Sequence, residues 1–114
     1  MLFIPFSERT RKLTPMTTFF LTYPGDAGTR FDRDYYVTTH LPLVRAAWGP
    51  HGLRSAAAFF PPTDGAGTIA SCVCEFESDN ALQAAFAAPQ TAGVVADIPN
   101  FTDAVPARSR AMPL

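Results

Sequence analysis

The sequence is poor in charge and has no long apolar run. Charged residues make up 17% of its 114 residues against 47% hydrophobic residues, and the net charge is −1. A nucleic-acid-binding surface needs clustered basic residues, so no nucleic-acid partner is expected. No apolar stretch approaches the ~20 residues that span a bilayer, so no membrane partner is expected either. The opening MLFIPF is too short for the apolar core of a secretory signal, and we expect a cytoplasmic protein.

Cysteine is also scarce, because Cys72 and Cys74 are the only two in the chain. Their C-x-C spacing places both side chains on one face of a strand, and so short a loop rarely closes into a disulfide. We interpret them as small buried side chains in a reducing compartment, with redox or metal chemistry as the alternative. No second Cys or His pair stands at zinc spacing, and no Gly-rich phosphate loop or Ser-His-Asp pattern occurs. We therefore predict a pocket without metal or cofactor.

The hydrophobic pattern predicts strand, helix, strand, strand, helix, strand. The predicted strands are residues 17–23, 53–60, 68–76 and 105–112, and the helices begin at the N-caps Asp32 and Ser78. This order is the split-βαβ, ferredoxin-like pattern of an α+β protein. It gives a four-stranded antiparallel sheet with both helices on one face. The last strand is polar and contains a proline, so we place it at an edge.

Both faces of the sheet carry apolar side chains. Phe19 and Phe20 point in opposite directions on the first strand, so the face away from the helices also needs cover. We therefore expect a homodimer in which two sheets enclose a shared, barrel-like core. Residues 1–16 show no periodic pattern and are predicted to be a peripheral extension that frays, with 17–114 as the folded domain. Met16 is an alternative start of the chain.

The stretch 31–48 holds the most chemically capable groups. Phe31 and Tyr36 have the spacing of a hydrophobic staple around Asp32, and Pro42 is expected to break or kink the helix near His40. His40 is therefore the candidate general acid/base, with Tyr36, four residues earlier, as its catalytic neighbour. The alternative is a structural histidine that binds carbonyl groups freed at the break.

Other residues are candidates for the wall of a ligand cavity. Trp48 lies two turns beyond His40, and with Phe19 it is expected to form an apolar wall, core packing being the alternative. Asp97 precedes a proline and is either a turn residue or part of the pocket. Phe101, in the same stretch, is included among the ligand-binding residues.

A set of short motifs resembles the EthD family, which is named after a protein associated with bacterial degradation of ethyl tert-butyl ether. The motifs are Tyr23-Pro24, Phe31-Asp32, Tyr35-Tyr36, His40-x-Pro42-Leu43-Val44 and Asp97-Ile98-Pro99-Asn100-Phe101-Thr102, within about residues 17–112. The resemblance implies a dimeric α+β barrel with a ferredoxin-like subunit. Relatives in that superfamily include monooxygenases, isomerases, cyclases and haem enzymes, so the fold alone does not choose a reaction.

Two functions remain open from the sequence. The first is a small enzyme that acts on an apolar, oxygen-bearing compound in an oxidative degradation or biosynthetic pathway. It would be a cofactor-independent oxidoreductase, isomerase or lyase that uses His40. The second is a non-catalytic ligand-binding or accessory protein of such a pathway. The first requires a titrating His40 with room for a substrate beside it.

Overall fold

The computed structural model describes residues 16–61 and 67–111 of the chain. The strands are β1 (Thr17–Gly25), β2 (Leu53–Phe59), β3 (Gly67–Phe76) and β4 (Ala107–Ala111). The helices are α1 (Arg33–Tyr35), α2 (Leu41–Trp48), α3 (Asp79–Ala87) and α4 (Thr91–Asp97). A π-helical turn, Tyr36–His40, joins α1 to α2, and two 3₁₀ turns lie at Gly49–His51 and Ile98–Asn100. The predicted extension, apart from Met16, lies outside the described residues.

The four strands form one antiparallel sheet in the order β2-β3-β1-β4. Phe19 in the centre of β1 pairs with Cys74 on β3 and with Arg110 on β4. The predicted α+β, ferredoxin-like topology is therefore confirmed, with β4 at an edge as expected. None of the helices in the described ranges is long and apolar enough to cross a membrane.

Alternation along the central strands separates the two faces of the sheet. Phe19 and Tyr23 on β1 are buried with Cys72 and Cys74 on β3, in one cluster with side chains of the helices. On the opposite face Phe20 and Val73 are only half-buried, and Phe59 at the edge is 57% exposed. Within the part of the chain that the structure describes, the helices thus cover one face of the sheet and leave the other open.

The chain between Arg33 and Trp48 differs from the prediction at Pro42. Leu41 was expected to leave helical geometry, yet its φ of −62° and ψ of −41° are helical. Instead the backbone widens into the π turn, in which the Leu41 N–H donates to the Tyr36 carbonyl. A new α-helical register begins at Leu41, so Pro42 falls in its first turn, where a missing N–H is tolerated. The predicted break is therefore wrong, and a change of register replaces it.

The predicted helix starts are confirmed. The Asp32 carboxylate accepts the Tyr35 N–H, and the Ser78 hydroxyl accepts the Ala81 N–H. Helix α4 runs to Asp97 and is followed by the 3₁₀ turn Ile98–Asn100. This turn places the Asp97 side chain at the end of a helix and not in a free loop.

Candidate functional site

His40 is held at the end of the π turn by two aromatic rings. Its ring stacks on Tyr36 at 5.3 Å between centroids with an interplanar angle of 21°, and it lies 4.6 Å from the Phe101 ring. The residue is only 1% exposed. Tyr36 itself packs against Phe31 at 5.2 Å, as the predicted staple requires. These contacts fix the plane of the imidazole before any ligand binds.

The carboxylate of Asp97 fixes the tautomer of that imidazole. His40 Nδ1 lies 2.9 Å from Asp97 Oδ2. Since an ionised carboxylate only accepts hydrogen bonds, Nδ1 carries the proton and donates it. The other ring nitrogen, Nε2, is then an acceptor.

Asp97 is held in turn by two donors on its second oxygen. The Tyr35 hydroxyl donates to Asp97 Oδ1 at 2.6 Å, and the Asn100 amide donates to the same atom at 2.9 Å. Both Asp97 oxygens are therefore engaged, and neither the carboxylate nor the imidazole is free to rotate. Asp97 acts as an orienting group for His40 at this position.

The charges of this pair follow from its surroundings. Burial lowers the pKa of His40 below its ordinary 6.5, and the hydrogen bond and charge of Asp97 offset only part of that effect. Burial alone would raise the pKa of Asp97, but the hydrogen bonds from Tyr35, Asn100 and His40 outweigh it and hold the pKa below 3.8. These two shifts favour a neutral imidazole beside an ionised carboxylate at neutral pH.

His40 also lines a cavity of about 380 Å³ on the helix-covered side of the sheet. Nine of the twelve lining residues are apolar; they come from β1, from the helices and from the segment that leads into β4. The aromatic part of the wall is Phe19, Trp48 and Phe86. Val95 and Val105, which are 58% and 79% exposed, stand at its mouth. A cavity of this size and polarity suits a small apolar molecule.

The residues predicted from sequence occupy three different places. His40, Phe19 and Trp48 line the cavity, and the Trp48 Nε1–H donates to the Thr91 hydroxyl at 2.8 Å. Asp97 and Phe101 contact His40 but are not among the residues that line the cavity. In this geometry both residues support the imidazole, and their ligand-binding role stays a prediction.

Tyr36 lies next to His40 but points its hydroxyl into the core. Burial, with Cys72 and Tyr23 beside it, raises the pKa of Tyr36 far above its ordinary value. The Cys72 and Cys74 sulfurs lie 3.7 Å apart, both thiols are free, and both are buried on the same face as predicted. The Tyr36 ring therefore packs against His40, whereas the hydroxyl that binds the carboxylate of the His40–Asp97 pair is that of Tyr35.

Sequence reasoning missed Tyr35, Thr91 and Arg108. Tyr35 was passed over because residues four apart share a face of an α-helix. The π turn widens the helix, so that residues 35 and 40, five apart, converge on one carboxylate. Arg108 appeared only as a polar residue of an edge strand, and nothing in the sequence indicates that it reaches the cavity mouth.

The fold and the site together define an α+β protein of ferredoxin-like topology with an oriented histidine at an apolar cavity. The sequence matches no protein-family model and no curated protein. Solved structures do match it. An EthD-like protein from Ralstonia eutropha JMP134 is 26% identical with a TM-score of 0.74, over 84% of this chain and 89% of that one.

Two further neighbours show the same fold at lower identity. An EthD family protein from Bacillus halodurans C-125 has a TM-score of 0.65 at 19% identity, over 87% of this chain and 99% of that one. SnoaB from Streptomyces nogalater, a cofactor-independent oxygenase, has a TM-score of 0.62 at 9% identity, over 87% and 95% of the two chains. The resemblance to EthD proteins of the dimeric α+β barrel type is thereby confirmed at the level of structure.

Proposed function

We propose that this chain binds a small apolar, oxygen-bearing molecule in its cavity and that His40 removes a proton from it. One observation carries the proposal: His40 Nδ1 lies 2.9 Å from Asp97 Oδ2, and His40 is also one of the residues that line the cavity. This hydrogen bond leaves Nε2 as the acceptor atom of an imidazole ring whose orientation is fixed. Geometry, tautomer and charge state therefore all favour a general base.

The step is a transfer of one proton with no change of oxidation state. A C–H or O–H bond of the substrate breaks, an N–H bond forms at His40 Nε2, and the electron pair moves onto the substrate oxygen. The imidazolium that forms is stabilised by the Asp97 carboxylate. If the proton returns to a different atom of the substrate, the overall reaction is an isomerisation. If the substrate anion instead reacts with a second reactant, the same proton removal is the first step of a different reaction.

The comparisons support this class of reaction without choosing among its members. SnoaB, which shares the fold at 9% identity, is a cofactor-independent oxygenase. The same cavity would serve a cofactor-independent oxidoreductase, isomerase or lyase in an oxidative degradation or biosynthetic pathway. A dialkyl ether such as ethyl tert-butyl ether has no acidic proton, so it fits this cavity only as a ligand that is not transformed. That case is the alternative function, an accessory ligand-binding protein.

The open face of the sheet supports the proposal of a homodimer. Phe20 and Val73 are half-buried and Phe59 is exposed on this face. A second copy of the same face would bury them, and stable pairs of this kind bury more than ~1,500 Å² in total. The cavity lies on the opposite side of the sheet, so each subunit would carry its own.

Hydrogen–deuterium exchange of an enolisable ketone tests the base directly. 2-Tetralone is apolar, fits the size of the cavity and has acidic protons next to its carbonyl. We expect the full chain to accelerate exchange over buffer and His40→Asn, which retains a donor to Asp97, to lose the acceleration. His51→Asn is the matched control and should keep it. Binding of 2-tetralone without faster exchange would favour the accessory function and contradict the enzyme.

A further inference from the structure

The polar groups of the cavity are few, and most are already engaged. Its three polar lining residues are His40, Thr91 and Arg108. The Thr91 hydroxyl donates to the Ala85 carbonyl at 2.6 Å and accepts from Trp48 at 2.8 Å, so it has no proton left for a ligand. The hydrogen-bonding character of the site is therefore set by His40 Nε2, an acceptor, and by Arg108, a donor.

Arg108 is placed to use that donor capacity on a ligand. It lies on β4 opposite Leu21 of β1, which also lines the cavity. Its guanidinium stands over the Phe86 ring at 5.5 Å from the centroid, which supports the plane of the group. No other residue in the described ranges accepts a hydrogen bond from the Arg108 side chain, in contrast to Arg30, Arg45 and Arg110.

The other arginines of the sheet are used differently. Arg110 pairs with Asp79, and Arg54 pairs with Glu77 at 2.6 Å. Among the residues that the structure describes, no carboxylate stands within ion-pair distance of Arg108. An arginine at the rim of an apolar cavity, with no internal counter-charge in the described part of the chain, has the properties of an anion-recognition group.

We propose that Arg108 binds the ligand oxygen that becomes an oxyanion, and that the ligand is an apolar ring compound whose acidic proton lies on that oxygen or on the carbon next to its carbonyl group. The proposal rests on the proposed function for the end that faces His40. Enolisable ketones and phenols have this chemistry, and an aryl carboxylate offers the same oxyanion with no proton to remove. Proton removal would then create two matched pairs, the imidazolium with Asp97 and the oxyanion with Arg108. An ether or a hydrocarbon would leave Arg108 without a partner.

Two ligands of equal shape and different charge test this recognition. Naphthalene-1-carboxylate and naphthalene-1-carboxamide, titrated calorimetrically into the full chain at low ionic strength, differ mainly in the charge offered to Arg108. We expect the carboxylate to bind about fivefold more tightly, in the range of a partly exposed ion pair. Salt should reduce that preference because the rim is open to solvent.

Variants assign the preference to one residue. Arg108→Gln should bring the two dissociation constants together while the carboxamide binds as before. Arg54→Gln removes the same charge at the opposite edge of the sheet and should keep the preference. Equal binding of the two ligands to the unaltered chain, or a preference that persists in Arg108→Gln, would overturn the proposal.

The 2-tetralone exchange experiment distinguishes the role of Arg108 from the proposed role of His40 as a base. Exchange that depends on His40 with no carboxylate preference would reject the role of Arg108 alone. A carboxylate preference that depends on Arg108 with no accelerated exchange would reject the base and retain the oxyanion site. If neither naphthalene ligand binds and the exchange of 2-tetralone is not accelerated, both proposals fail.

Discussion

His40 Nδ1 and Asp97 Oδ2 lie 2.9 Å apart although 57 positions of sequence separate the two residues. The contact joins the π turn after α1 to the last residue of α4. It fixes the tautomer of a histidine whose ring lines an apolar cavity.

Asp97→Asn should impair the base by reversing its tautomer. The Tyr35 hydroxyl and the Asn100 amide both donate to Asp97 Oδ1, so the new amide would keep its oxygen there and turn its NH₂ toward His40 Nδ1. Nε2 would then carry the proton and could not accept one. We expect ketone exchange to fall on the order of 100-fold. Asp103→Asn, which alters an exposed carboxylate that accepts the Arg30 N–H, is the control and should change it little.

Two tyrosine variants distinguish the hydrogen bond that Tyr35 donates to Asp97 from the packing of Tyr36 against the His40 ring. Tyr35→Phe removes the 2.6 Å donor to Asp97, so the pKa of Asp97 should rise toward its ordinary value and exchange should fall about threefold. Tyr36→Phe keeps the stacked ring and removes a hydroxyl that lies in the core, so the rate should stay within about twofold. A larger loss with Tyr36→Phe would support the catalytic role predicted for Tyr36 from the sequence.

Stability should decrease in mild acid because of His40. Its pKa in the folded chain is below the 6.5 of an unperturbed histidine, so the unfolded chain binds more protons between those two values. The free energy of unfolding should therefore fall as the pH drops below about 6.5 and continue to fall until the folded pKa is passed. We expect the melting temperature to decrease by a few degrees between pH 7.5 and 5.5, and by less in His40→Asn. A melting temperature that rises toward acid would show that the folded state holds an imidazolium.

A charge on the open face of the sheet should separate the proposed dimer. Val73 is half-buried at the centre of that face, on an inner strand. Sedimentation should give about 25 kDa for the unaltered chain, twice its 12.3 kDa, and the mass of a single chain for Val73→Glu. Val37→Glu introduces the same charge at a position that is 45% exposed on the helical side and should leave the dimer intact. A monomeric unaltered chain would contradict the dimer.

Most of the fold could be predicted from the sequence because its signals are local. Asp32 and Ser78 cap the helices where expected, and the β-branched and aromatic runs form β1 and β3. Pro42 was the exception. Two outcomes satisfy its missing N–H, a break or a wider turn, and local preference does not choose between them.

The site was predictable only in part because its geometry depends on that wider turn. His40, Phe19 and Trp48 were identified, since a histidine near a proline and two large aromatic residues stand out in the sequence. The tyrosine that assists His40 was chosen by α-helical spacing, which selects Tyr36, whereas the π turn brings the Tyr35 hydroxyl to Asp97, the carboxylate that binds His40. Arg108 reaches the cavity through strand pairing with β1, a long-range contact that no local pattern reveals.

The central claim is that His40 faces the cavity as a neutral base with its proton on Nδ1. Long-range ¹⁵N–¹H correlation spectra report the tautomer and charge of both histidines, with His51 in the 3₁₀ turn as an internal reference. At pH 7 the account predicts the Nδ1–H tautomer for His40 and a shift of its Nε2 resonance when naphthalene-1-carboxamide is added, with His51 unchanged. An imidazolium or an Nε2–H tautomer of His40 at pH 7, or a His40 Nε2 resonance that does not shift when the ligand is added, would contradict this claim.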